Sequence, residues 1–94
     1  MALQIRLTPD AEAYIKSLYI QSALDFGLTQ AKAYRRLITQ AVELLAEFPG
    51  IGPEIHDGAR AHTVKSHRII YEADETSLTV LRILHMRQLP PGPE

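Results

Sequence analysis

The 94-residue chain contains no cysteine, no tryptophan and only two phenylalanines. The absence of cysteine excludes disulfides, thiolate metal sites and a cysteine nucleophile. With aromatics at 6%, the core has to be built mostly from Leu, Ile, Val, Ala and Tyr. No apolar run approaches the roughly 18 residues of a membrane span, and Met1-Ala2-Leu3-Gln4 does not open as a signal peptide does. An excess of either charge is also missing: ten Lys and Arg stand against eleven Asp and Glu, a net of −1 with histidines neutral. This excludes a uniformly basic nucleic-acid coat, which would work by neutralising many phosphates, but leaves a local basic patch open. What remains is an ordinary globular balance, 46% apolar and 22% charged. The expectation is a soluble, cytoplasmic chain with one domain over residues 1–88 and a proline-rich tail over 89–94.

The patterning divides this domain into strand, helices and strands. Leu3-Gln4-Ile5-Arg6-Leu7 alternates with period two, as a half-buried strand does. Thr8-Pro9-Asp10 then opens a helix: Thr8 caps an orphan amide, Pro9 has no amide to waste, and Asp10 suits the positive end. Ala11, Ile15, Leu18 and Ser22 fall on one face, with Tyr14 and Tyr19 beside it, and Gly27 ends the helix. A second helix is expected from a Thr29 cap to about Phe48, with Tyr34, Leu37, Ile38, Ala41, Leu44, Leu45 and Phe48 at helical spacing. The run Pro49-Gly50-Ile51-Gly52-Pro53 stops it. The short connection makes the two helices an antiparallel hairpin. Three strands follow, over Ala59–Val64, Arg68–Ala73 and Leu78–His85, with turn chemistry at Asp74-Glu75-Thr76-Ser77. The last is apolar on both faces and reads as an interior strand. The fold class is α+β: a strand, a helical hairpin and a three-stranded antiparallel meander.

The titratable residues offer few known constellations. His56 falls in a loop, and His62 and His67 would lie on opposite faces of an unbroken strand, so no metal site and no cofactor is expected. The glycines near Gly50 carry no phosphate-binding motif, and their prolines remove amides that such a cradle needs. Two clusters stand out instead. Lys32, Arg35 and Arg36 crowd the start of the second helix while Glu43 and Glu47 sit near its end, each choice opposing the macrodipole. Residues 58–94 carry five Arg and Lys against four acids. Within them, Arg60, His62, Arg68, Arg82 and His85 are expected to share a neighbourhood on or beside the sheet. Arginine and lysine there can clamp a phosphodiester while histidine moves protons, as in a metal-free ribonuclease. The same patch can grip acidic side chains of a protein partner.

Four segments resemble the RelE/ParE toxin superfamily: Thr8-Pro9-Asp10-Ala11; Ala41-x-x-Leu44-Leu45-Ala46-x-x-Pro49-x-x-Gly52; His67-Arg68-Ile69-Ile70-Tyr71-Glu72; and Val80-Leu81-Arg82-Ile83-Leu84-His85-x-Arg87. The likeness spans about residues 3–87, and the Leu-His-x-Arg ending is nearest to the ParE branch. The resemblance implies the β-α-α-β-β-β fold and the toxin of a bacterial type II toxin–antitoxin pair, neutralised by a cognate antitoxin. ParE-like members poison DNA gyrase by direct contact and serve plasmid stabilisation; RelE-like and YoeB-like members cut messenger RNA on the translating ribosome. On the first reading Arg60, His62, Arg68, Arg82, His85 and Arg87 are target-binding candidates. On the second, Arg60, Lys65, Arg68, Arg82 and His85 would be catalytic. A third reading is a non-toxic co-repressor acting with the antitoxin. Arg68 matches an arginine that nuclease members use on the phosphate, whereas His85 falls one place out of step with their last-strand ending. Lys65 is the sole lysine after the helices, where RelE-like members are lysine-rich. These departures favour gyrase as the target, with no membrane association and no direct DNA binding without antitoxin.

Overall fold

A computed structural model describes residues 2–85; the expectations for Arg87 and the proline-rich tail lie outside the described residues. The elements are β1 (Gln4–Leu7), α1 (Pro9–Phe26), α2 (Leu28–Glu47), β2 (Glu54–His56), β3 (Ala59–Val64), β4 (His67–Ala73) and β5 (Ser77–His85). The strands form one sheet in the order β1-β5-β4-β3-β2. β1 runs parallel to β5, and the other neighbours are antiparallel. The expected fold class holds, and β5 is interior with a partner on each side. Among the described residues the meander has four strands rather than three. The extra strand, β2, is only three residues long and places His56 at its end, not in a loop. Its turn is Asp57-Gly58, both at positive φ (46° and 82°), the pair that a tight two-residue hairpin requires.

α1 starts as its sequence dictates. The Thr8 hydroxyl accepts from the Ala11 amide at 3.2 Å, and Pro9 occupies the first turn. The helices meet at a single residue. Gly27, at φ 94°, donates its amide to the Ala23 carbonyl and accepts from the Ala31 amide. It therefore ends α1 and begins α2, which leaves Thr29 inside α2 and not at its cap. This α2 start has no side-chain cap and no acidic residue in its first turn.

Both helices pack on one face of the sheet. Ala11 of α1 joins Ile38, Ala41, Val42 and Leu45 of α2 over Ile69, Tyr71, Leu78, Val80 and Ile83. Burial of each large aliphatic contributes about 1.5–3 kcal/mol against chain entropy. Leu44 and Phe48, expected on the buried stripe, are exposed. Leu44 lies about 120° around the helix from the stripe's centre, and Phe48 follows the last helical residue. At the β4–β5 turn, Asp74 Oδ1 accepts from the Thr76 and Ser77 amides at 2.8 and 2.7 Å. These two backbone donors hold its carboxyl below the usual range.

Candidate interaction face and the buried histidine behind it

Strand register decides which candidate residues can act together, because directly paired residues share a face of the sheet. On β4 and β5, Arg68 stands opposite Leu84, and Ile70 opposite Arg82. Two arginines and two aliphatics thus form a checkerboard on the face away from the helices. Thr63 of β3 pairs with Arg68 and extends it on one side. Farther along, Arg6 pairs with Thr79, which pairs with Glu72. Among the described residues the one ion pair is His56–Asp57 at 3.9 Å, so neither Arg68 nor Arg82 has a described carboxylate within 4 Å. The result is a pair of guanidinium groups with no carboxylate of the described residues within 4 Å, suited to charged, planar acceptors on a partner. Arg82 and Leu84 also border a groove of about 460 Å³ with Asp10, Ala13, Tyr14 and Ser17 of α1.

The remaining candidates point to the other side. Arg60 pairs with Tyr71, His62 with Ile69 and His85 with His67, all on the helix face. The expected five-residue neighbourhood is therefore divided by the sheet. Arg60 serves the fold directly, because its Nη1 donates to the Gly52 carbonyl at 2.7 Å. The Tyr71 hydroxyl donates to the Pro49 carbonyl at 2.7 Å and accepts from the Gly52 amide at 3.1 Å. Together they fasten the loop after α2 to the sheet. Lys65 occupies the two-residue β3–β4 turn at φ 56°, and His62 is half-buried. Because Lys65 and Ser66 make so short a turn, His62 and His67 lie on the same face, contrary to the unbroken-strand expectation.

Behind the face lies a polar group that sequence reasoning does not single out. His67 is 1% exposed, walled by Tyr14 of α1, Tyr34 of α2 and His85 of β5. Its Nδ1 lies 2.6 Å from the Tyr34 hydroxyl, which lies 3.2 Å from Ser66 Oγ. Among the described residues Nε2 is buried without a partner, so either tautomer leaves it unsatisfied, a cost of about 1–3 kcal/mol. Burial, and then the charge of His85, push the His67 pKa down, which keeps the ring neutral. Burial and the nearby Tyr34 raise the pKa of Tyr14. The signal for this group is present in the sequence: His67, Ile69 and Tyr71 alternate, and Tyr34 falls on the buried stripe of α2. Among the described residues no group of three His, Asp or Glu side chains could hold a metal ion, and no helix is long and apolar enough to cross a membrane.

Comparison with known proteins agrees with this architecture. The family described as the ParE toxin of the type II toxin–antitoxin system parDE matches residues 5–90. Toxin ParE1 of Mycobacterium tuberculosis strain H37Rv is 31% identical over 91 residues, with 93% of each chain covered. Toxin ParE1 of Caulobacter vibrioides is 29% identical over 83 residues, with 85% of each covered. Among solved structures, a chain of the chromosomal ParDE system of P. aeruginosa superimposes with a TM-score of 0.76 at 20% identity, covering 89% of this chain and 96% of that one. A chain of the RelBE2 toxin–antitoxin complex of Mycobacterium tuberculosis gives 0.67 at 15% identity, covering 90% and 92%. With the family matched over nearly its whole length, the chain belongs to the ParE toxins of type II toxin–antitoxin systems.

Proposed function

We propose that this ParE-family toxin inhibits DNA gyrase by protein–protein contact through the open face of its sheet, and that a cognate antitoxin neutralises it. The observation that carries the reading is the division of charged residues by the sheet. Arg68 and Arg82 lie together on the open face with Ile70 and Leu84. His62, His67 and His85 lie on the opposite face, and His56 lies at the far edge on β2. A ribonuclease needs a proton donor or acceptor within hydrogen-bond reach of the clamped phosphate. A pair of arginines among aliphatics, with every histidine of the described residues on the other face or at the far edge of the sheet, instead suits a protein surface, where arginine and apolar contacts combine. Near-neutral net charge supports a protein target over ribosomal RNA. An antitoxin partner is supported by the solved relatives, one from a ParDE system and one from a toxin–antitoxin complex.

The test is gyrase supercoiling of relaxed plasmid, titrated with toxin purified away from antitoxin. Loss of supercoiling with accumulation of cleaved DNA is the expected result. Growth arrest with gyrase untouched and messenger RNA cut on translating ribosomes would replace this reading with the nuclease one.

A further inference from the structure

A second surface, on the helix side, is left unexplained by the gyrase reading. Between the first half of α2 and the β3–β4 turn lies a cleft of about 530 Å³, lined by Gln30, Ala33, Tyr34, Leu37, Lys65 and Ser66. None of these six is acidic. Lys65 reaches the cleft from a left-handed backbone position at φ 56°, which costs a residue other than Gly or Asn about 1 kcal/mol. Among the described residues no carboxylate lies within 4 Å of its ammonium. The Ser66 hydroxyl meets the Tyr34 hydroxyl at 3.2 Å, long for such a pair. Tyr34 in turn is held by His67 at 2.6 Å, so this wall of the cleft is fixed from behind.

The helix beside the cleft adds to the positive potential. Gln30 stands in the first turn of α2, which has no acidic residue and no side-chain cap, so its partial positive charge is uncompensated from within. Lys32, Arg35 and Arg36 follow on faces of the helix turned from the cleft, Arg35 over the Tyr19 ring, and the helix has no acidic residue before Glu43 to relieve the field. This is the oddity in the charge pattern of the sequence. A negatively charged occupant would relieve it.

We propose that this cleft docks an acidic segment of a protein partner. Lys65 and Ser66 would donate to a carboxylate, with Gln30 beside them, while Ala33 and Leu37 receive an adjoining apolar side chain. Nucleic acid fits less well. An unstacked base wants an open aromatic platform, and the aromatic residue lining the cleft, Tyr34, is half-buried and set edge-on against His67. The inference does not rest on the gyrase reading, because Arg68 and Arg82 face away on the other side of the sheet.

The experiment titrates the 15N-labelled full chain with the peptide Ac-Glu-Glu-Leu-Glu-Glu-NH2 at low salt, following amide resonances. The isosteric Ac-Gln-Gln-Leu-Gln-Gln-NH2 and an eight-residue oligothymidine serve as comparisons. Saturable shifts at Gln30, Ala33, Tyr34, Lys65 and Ser66 with the acidic peptide alone are expected. Lys65→Asn is the informative variant, since asparagine tolerates the left-handed turn and only the charge is lost. It should weaken binding about tenfold or more, the loss of one charge-assisted hydrogen bond, while Lys65→Arg retains it. The proposal is overturned if the acidic peptide fails to saturate or the glutamine peptide binds equally well. Shifts centred on Arg68 and Arg82, or tighter binding of the oligothymidine in the cleft, overturn it as well.

Discussion

The Thr8 hydroxyl donates to the Leu81 carbonyl at 2.6 Å, across 73 residues of sequence. Leu81 is the extra residue of a β-bulge: Ile70 pairs with Arg82 and Tyr71 with Val80, leaving Leu81 unopposed. The bulge changes which residues face the helices. Leu78 and Val80 are buried before it, Ile83 after it, so Arg82 turns outward and joins Arg68. The same Thr8 oxygen accepts the Ala11 amide at the start of α1. Thr8→Val, which keeps the shape and removes the hydroxyl, should therefore cost about 1–2 kcal/mol in urea unfolding. Thr8→Ser should recover most of it. Equal midpoints for wild type and Thr8→Val would show that the bulge needs no such anchor.

The arginines separate into two kinds, and their alanine variants should separate likewise. Arg60→Ala loses the bond to the Gly52 carbonyl and should lower stability by about 1–3 kcal/mol, since a charged donor is removed from a part-buried acceptor. Arg68→Ala and Arg82→Ala break no such contact and should unfold within about 0.5 kcal/mol of wild type, yet weaken gyrase inhibition severalfold or more. Unfolding curves and supercoiling titrations on the same three proteins decide the matter. Full inhibition by the double variant Arg68→Ala/Arg82→Ala would remove the open face from the mechanism.

Gly52 is held by space, not by backbone conformation. A Cβ built there would lie 2.4 Å from the Ala61 carbonyl oxygen and 2.9 Å from the Tyr71 hydroxyl. The first neighbour is strand backbone and cannot swing away. Gly52→Ala should therefore displace the loop from Arg60 and Tyr71 and cost about 1–3 kcal/mol. Gly50→Ala, where a Cβ meets nothing within 4 Å, is the control expected to be near neutral. Similar thermal midpoints for the two variants would contradict this packing.

Much of the fold is legible because its signals are local. Alternation marks β1, Thr8-Pro9-Asp10 marks the start of α1, and the turn residues after Ala73 separate β4 from β5. β2 escapes a reading by pattern because three residues carry no alternation, although Asp57-Gly58 is itself a hairpin signal. Side-chain chemistry favours Thr29 as the α2 cap, whereas Gly27 serves both helices and leaves no room for another residue between them. The site is less legible for a different reason. Which side chains share a face depends on register, and register is set by two features that simple alternation does not carry: the two-residue turn at Lys65-Ser66 and the bulge at Leu81. Each inverts the parity that uniform alternation would give, so a cluster plausible in one dimension is split by the sheet in three.

His67 makes stability depend on pH in a definite direction. Burial first, and then His85, whose ring centroid is 5.1 Å away, hold its folded pKa below the ordinary histidine value. That value, about 6.5, applies to the unfolded chain. Below it the unfolded state takes up a proton that the folded state resists, so stability is full above about pH 6.5 and falls as the medium is acidified. The groups facing the ring, Tyr14 from α1, Tyr34 from α2 and His85 from β5, include no carboxylate that could compensate the charge. The thermal midpoint should therefore drop steadily between about pH 7 and pH 5. Tyr34→Phe should destabilise the protein at every pH, because it leaves His67 Nδ1 without its partner. His67→Phe should flatten the acid slope whatever its own midpoint. A wild-type midpoint that is constant over this range, or an unchanged slope in His67→Phe, would place the acid sensitivity elsewhere.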